Sequence, residues 1–193
     1  MGKRITIIDG HPDPDPTHYC HAVANAYSAG AIAAGHEVRG LAIASLDIPL
    51  LRSSASWQQP NVNPDIKTCQ DSIGFAEHVV IVYPLWLGTM PALLKAFFEQ
   101  VFRPGFAIKM GDRTFSPGLL QGKSARIIVT MGMPALIYRW YFRAHSLKSL
   151  ERNILKFAGI TPIAETIIGS VEANPAARAT WLDKVRKLGE RGI

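Results

Sequence analysis

Two hydrophobic rhythms alternate along the chain. Continuous β-branched runs such as Val79-Val80-Ile81-Val82 are what parallel strands show when helices cover both faces of their sheet. Segments 5–9, 37–43, 79–82, 125–130 and 162–168 read as five strands, and 17–35, 65–76, 91–102, 139–158 and 175–190 as five helices. Regular alternation of the two points to an α/β protein with a doubly wound parallel sheet, and a chain of this size favours the order 2-1-3-4-5 over a six-stranded dinucleotide fold. Residues 46–64, with Pro49, Pro60, Pro64 and several serines, break the rhythm as a long irregular connection expected to cover one side of a site. The 193 residues suit one domain, 1–193, with no internal repeat.

The formal charge of +6 raises the question of nucleic acid. The basic residues are scattered, however, and the densest groups (Arg139, Arg143 and Lys148; Lys184, Arg186, Lys187 and Arg191) fall on predicted helices without the known motif of a nucleic-acid module. The expectation is a solvated basic face or a field suited to phosphorylated ligands, with no nucleic-acid partner. No apolar run reaches the ~18 residues of a membrane span, and Lys3-Arg4 leads directly into a strand. A cytoplasmic protein with no membrane insertion is therefore expected, and Cys20 and Cys69 read as free thiols.

Candidate chemistry sits in three loops that follow strands. Tyr83-Pro84-Leu85-Trp86-Leu87-Gly88 leads from the third strand into a helix. Such a loop lies where open α/β sheets place ligands. Trp86 and its flanking leucines would form a flat, water-poor wall, with the N–H groups of Leu87 and Gly88 free for the edge of a heteroaromatic ring; alternatively the loop is a turn whose Trp caps the core. After the first strand, Gly10-His11-Pro12 replaces the spaced glycines of a dinucleotide fingerprint. Alternating prolines then extend the chain to Thr17, which would cap a helix and leave the N–H groups of His18, Tyr19 and Cys20 as a phosphate pocket, with His11 as a further donor. Asp13 and Asp15 are expected to point outward. The competing reading is a rigid proline turn. His18 and His21, with Asp15 or Cys20, do not complete a metal shell, and no metal is expected.

The third loop is Thr130-Met131-Gly132-Met133, where glycine permits close approach of backbone to a ligand. On a continuous helix beyond it, Tyr138 and His145 would share one face two turns apart and could act as hydrogen-bond donor and proton source. A core tyrosine and a surface histidine are the alternative. The helix 91–102 carries Leu93, Leu94, Phe97, Phe98, Val101 and Phe102, an apolar face broad enough to suggest a second subunit unless its own domain covers it.

Together these loops give the chain a resemblance to the flavodoxin-like NAD(P)H:quinone oxidoreductases, a family that includes mammalian quinone reductase, bacterial modulators of drug activity and ancillary reductases of potassium-efflux systems. The resemblance runs from residue 5 to about 168. It is most specific at Tyr83-Pro84-Leu85-Trp86, Gly88, Met90-Pro91-Ala92, Leu94-Lys95 and Gly105-Phe106-Ala107. It implies a flavodoxin-like five-stranded sheet and a flavin, FAD or FMN. His11, Thr17, His18, Tyr19 and Cys20 would hold its phosphate, and Pro84, Leu85, Trp86, Leu87, Gly88, Thr130, Met131, Gly132 and Met133 would surround its ring. Met131 and Met133 stand where the family often has Thr and Gly. Tyr138 and His145 correspond to the family's catalytic pair. The implied activity is two-electron hydride transfer from NAD(P)H, which reduces the flavin at N5 and gives way to a quinone in a ping-pong cycle, in a homodimer with the site at its interface. Trp86, Trp140 and the loop after Phe106 would shape the acceptor site. A flavin-binding regulatory subunit of a potassium-efflux type transport protein is the alternative. FAD against FMN, and NADH against NADPH, stay open.

Overall fold

The computed structural model describes residues 2–59, 63–109 and 118–193. Five strands, β1 (Arg4–Asp9), β2 (Glu37–Ala42), β3 (His78–Pro84), β4 (Ser124–Thr130) and β5 (Ile163–Ile168), form one sheet in the order β2-β1-β3-β4-β5. Every neighbouring pair is parallel. The helices are α1 (Tyr19–Ala33), α2 (Ser54–Gln58), α3 (Pro64–Phe75), α4 (Ala92–Val101), α5 (Ala135–Trp140), α6 (His145–Ser149) and α7 (Pro175–Arg191). Between α6 and β5 the chain widens into a π-helical stretch, Leu150–Lys156. The expected sheet order is the one observed.

All seven residues of β3 are buried, as its continuous apolar run requires of a central strand. On one face of the sheet Ile8, Ile81, Ile127 and Val129 pack with Ile73 of α3 and Phe97 of α4. On the other, Ile7, Val80, Val82 and Ile128 pack with Val23 and Tyr27 of α1 and Val185 of α7. The α1–α7 contact is close enough to require glycine: a Cβ on Gly30 would lie 2.1 Å from the Arg186 carbonyl oxygen, and one on Gly189 2.1 Å from that of Tyr27. Asn63 and Asn174 each accept two backbone N–H bonds at the starts of α3 and α7, both of which have proline in the first turn.

Three expectations are corrected. The connection 46–64 is not wholly irregular, because Ser53 caps α2 within it; Arg103 Nη1 donates to the carbonyls of Ser56 and Gln59, and Gln100 Nε2 to that of Pro49, which fastens the segment to α4. Pro60 lies outside the described residues. The broad apolar face of α4 is met inside the chain: Leu94, Phe97, Phe98, Val101 and Phe102 are all buried and only Leu93 is half-buried. The helix expected over 139–158 starts earlier, at Ala135, and breaks at Arg143 and Ala144, whose φ angles of 54° and 46° lie in the left-handed region. The break lets the Tyr138 hydroxyl turn inward to Ser146 Oγ at 2.7 Å and accept the Leu147 N–H at 3.2 Å, so tertiary satisfaction of a buried phenol overrides helical continuity.

Candidate functional site

The loops after β1, β3 and β4 meet at the carboxyl edge of the sheet around a cleft of about 350 Å³. The first loop lines it with His11, Thr17, His18, Tyr19 and Cys20, the second with Pro84 and Trp86, and the third with Thr130. The segment entering α7 adds Val171, Glu172 and Arg178.

The first loop is a relay of short turns. Asp9 Oδ1 accepts the His11 N–H at 3.2 Å, Asp13 Oδ1 that of Asp15 at 2.9 Å, and Asp15 Oδ1 that of Thr17 at 2.9 Å. Pro14 and Pro16 at the intervening positions of the last two turns remove the competing donors, and Gly10 in the first sends its N–H to the Val82 carbonyl at 2.7 Å. Thr17 is not the helix cap, contrary to expectation; His18 occupies that position without a capping side-chain bond, and its own N–H goes to the Asp15 carbonyl. The N–H groups of Tyr19 and Cys20 have no partner among the described residues, so the phosphate pocket is smaller by one donor than expected and otherwise open.

Three imidazoles gather at this helix start. His11 stacks on His18 with centroids 4.1 Å apart, lies 5.1 Å from His21 and meets the Trp86 ring edge-on at 5.6 Å. His21 Nδ1 lies 2.5 Å from Asp9 Oδ2, and its Nε2 2.9 Å from the Asp13 carbonyl. Asp13 does not simply face outward: its carboxylate sits 3.0 Å from His18 Nε2. Asp15 is exposed but bent back onto Thr17. Burial lowers the pKa of His11. Burial alone would also lower His21, but the Asp9 carboxylate and the Asp13 carbonyl outweigh it and raise that imidazole above its ordinary value. The Asp15 N–H and then His18 hold Asp13 below the usual carboxylate range, and the Thr17 N–H and hydroxyl do the same for Asp15. Burial pushes the Cys20 thiol well up, so it presents no thiolate. Among the described residues no cluster of three or more His, Cys, Asp or Glu is arranged to hold a metal ion.

The second loop closes on itself, with Trp86 N–H bonded to the Thr89 carbonyl at 2.9 Å and Thr89 N–H to that of Trp86 at 3.0 Å. Leu87 and Gly88 between them both have positive φ, 47° and 81°. Such a turn leaves both central N–H groups without partners among the described residues, and the Leu87 side chain is fully exposed. A leucine held in this region stores strain of the sort found at ligand clamps. Leu85 N–H bonds the Thr130 carbonyl at 2.8 Å, tying the second loop to the third.

In the third loop the expected residues divide. Thr130 lines the cleft, and Gly132 is exposed with an unbonded N–H, among the described residues, and only the Glu172 carboxyl within 4 Å of where a Cβ would stand. Met131 is buried in the core and Met133 packs against it, so neither side chain lines the cleft. Tyr138 and His145 do not share a helix face: Tyr138 is buried with its hydroxyl engaged, and exposed His145 turns Nδ1 to the Phe142 carbonyl. Sequence reasoning missed Asp9, His21, Glu172 and Arg178. The position of Asp9 at the carboxyl end of a strand was a usable signal for the first pair, whereas Arg178 lies 159 residues beyond Tyr19, whose hydroxyl donates to its carbonyl at 2.9 Å.

A flat heteroaromatic ring with a phosphate arm fits this donor set. The unpaired N–H groups of Tyr19 and Cys20 offer an anion site, and those of Leu87, Gly88 and Gly132 offer ring-edge donors beside the half-exposed Trp86. A Cβ on Gly88 would meet nothing within 4 Å, so that backbone faces open space.

Among relatives, the human ribosyldihydronicotinamide dehydrogenase [quinone] is 29% identical over 146 residues, which are 69% of this chain and 61% of that protein. The FMN-dependent NADH:quinone oxidoreductase 1 of Colwellia psychrerythraea is 32% identical over 129 residues, 60% of this chain and 64% of that one. The chain thus spans less than two thirds of the length of these curated relatives. Among solved structures, Smu.1420 from Streptococcus mutans UA159 superposes with a TM-score of 0.82 at 26% identity, covering 97% of this chain and 98% of that one. The family model described as "Flavodoxin-like fold" matches residues 3–189, and the chain, with its 2-1-3-4-5 sheet and loop-lined carboxyl edge, belongs to that family.

Proposed function

We propose that the protein is a flavin-dependent NAD(P)H oxidoreductase that carries out two-electron reduction of quinones or similar acceptors. One observation carries this reading: five backbone N–H groups without partners among the described residues are concentrated in the three loops that bound one cleft, on a sheet edge where ligands of this fold class bind. The names of the two relatives, both quinone reductases and one FMN-dependent, support the substrate and cofactor classes.

A bound flavin supplies the capacity to take up and release a hydride. The chain's residues supply the setting. Tyr19 and Cys20 N–H, at the positive end of the 15-residue α1, bind the phosphate, with the His11 and His18 rings beside them and the Arg178 guanidinium adding positive field. Asp9 fixes the His21 ring through Nδ1 and so holds the loop that carries the pocket. Leu87, Gly88 and Gly132 N–H orient the ring edge and would stabilise negative charge that develops there. Trp86 and Leu87 exclude water from its face. Tyr138 organises the α5–α6 turn behind the third loop, and no step needs its proton. We further propose a homodimer, supported by four large apolar side chains, Ile137, Trp140, Tyr141 and Phe142, left exposed in one short segment just beyond the third loop.

Steady-state kinetics with NADH or NADPH and a simple benzoquinone test the reading. Parallel double-reciprocal lines with hydroquinone as product are expected, because substrates alternate in one cleft. Intersecting lines or no turnover by flavin-loaded protein would overturn it. Sedimentation velocity on wild type and Trp140→Glu tests the dimer, with a monomeric variant as the expected outcome.

A further inference from the structure

A second cleft, larger than the first at about 580 Å³, runs along β5 between α5 and α7. β5 is an edge strand, paired only with β4. The carbonyls of Pro162 and Ile168 accept from Ala125 and Met131 on the β4 side, so the alternating residues Ile163, Glu165 and Ile167 aim their backbone N–H and C=O groups at the open side. These groups have no hydrogen-bond partner among the described residues. Glu165, Thr166 and Ile167 line the cleft itself.

The facing wall is a stripe of α7. Trp181, Lys184, Leu188 and Arg191, spaced three or four residues apart, turn to the cleft together with Lys187, while Val185 and Gly189 on the other side of the helix pack toward α1. Arg139 of α5 and Arg126 of β4 complete a set of five cations. Arg126 is buried and fixed by the Ile193 carbonyl and Thr166 Oγ1. None of the five makes an ion pair with a carboxylate side chain among the described residues. Glu165 is the one acid in the wall, one carboxyl against five cations; burial and then Glu151 beside it raise its pKa, while Arg139 and Lys148 act the other way. Leu136, Ile167, Trp181 and Leu188 give the cleft an apolar floor between the charges.

We propose that this cleft receives an extended, acidic segment of a partner protein, which adds to the open edge of β5 as a sixth strand. Main-chain groups of Glu165 and Ile167 bond the segment, its apolar side chains pack on Leu136, Trp181 and Leu188, and its carboxylates meet Arg139, Lys184, Lys187 and Arg191. Strand addition of this kind takes affinity from backbone bonds and specificity from alternate side chains. A second copy of this chain is a poor occupant, since pairing β5 with β5 would bring together two sets of five cations with one acid each. Nucleic acid would leave the apolar floor and the edge donors unused. The inference is independent of the flavin chemistry.

The probe is a fluorescein-labelled peptide of about eight residues alternating glutamate and valine, titrated by anisotropy into the full-length protein as purified, with amide hydrogen exchange followed in parallel. Saturable binding, slowed exchange at Glu165 and Ile167, and weakening of at least about tenfold in Lys184→Glu/Lys187→Glu are expected, with reductase turnover unchanged in that exposed double variant. A lysine–valine peptide of equal length should not bind. The proposal fails if the acidic peptide does not bind, if binding ignores the charge reversal, or if the two amides exchange as before. Preferential binding of an oligonucleotide, or a dimer through the β5 edge that the charge reversal abolishes, would equally overturn it.

Discussion

The loop from His11 to Cys20 and the segment from Tyr138 to His145 both follow a strand at the carboxyl edge, yet they are shaped by opposite means. In the first, each turn is closed by a neighbour two residues away: Asp9 to His11, Asp13 to Asp15, Asp15 to Thr17. In the second, a single buried hydroxyl reaches eight and nine residues ahead and bends the backbone through two left-handed residues to do so. A locally written segment keeps its shape when one contact is removed, whereas a segment shaped by one tertiary anchor depends on that anchor.

The contrast sets a scale of expected effects. Tyr138→Phe, which strands the Ser146 hydroxyl and the Leu147 N–H in the core, should cost about 1–3 kcal/mol in urea unfolding; a loss below about 0.5 kcal/mol would remove the anchor from the account. Gly88→Ala, at a φ of 81°, should cost about 1 kcal/mol and weaken flavin binding with it. Asp15→Ala should cost less than either, because it removes one turn closure on an exposed loop. Thr17→Ala, at the position the sequence suggested as a cap, should stay within about 0.5 kcal/mol of wild type. If Thr17→Ala costs more than Asp15→Ala, the relay is misassigned.

The pH dependence of stability sharpens the same comparison. His21 has a folded pKa above its unfolded value, so its contribution is fully present below about 6.5 and is lost as the pH rises through the folded value. His11 is lowered and works in the opposite sense, its contribution being lost as the pH falls. Relative to wild type, His21→Asn should therefore lose more stability at pH 5.5 than at pH 8.5, with the wild-type advantage shrinking between them. A larger loss at the alkaline end would contradict the Asp9–His21 pairing.

Much of the fold was legible because strands buried on both faces write themselves as unbroken β-branched runs, and the βα rhythm leaves few topologies. The N–H groups of Leu87 and Gly88 were legible for a similar reason: a two-residue turn ending in glycine frees its central donors whatever surrounds it. Tyr138 and His145 were not, since seven-residue spacing implies a shared face only if the helix is unbroken, and the burial of one phenol decided otherwise. The breadth of α4 misled in the same way, because the elements packed on it, α3 and the turn 43–45 after β2, come from elsewhere in the chain. Arg178 reaches the first cleft from α7, and Glu172 reaches it through the Val171 N–H bonded to the Met131 carbonyl, relations that no local pattern encodes.

The central claim is that the three loops hold a flavin, and the most direct measurement is to denature the purified protein, identify any released flavin by chromatography, and titrate the stripped protein with FMN and FAD. One flavin bound per chain, with affinity reduced at least tenfold by Asp9→Ala and quenching of Trp fluorescence lost in Trp86→Phe, is the predicted result. No released flavin and no binding of either form on reconstitution would contradict it, and would leave the sheet and its family as the whole of what the chain establishes.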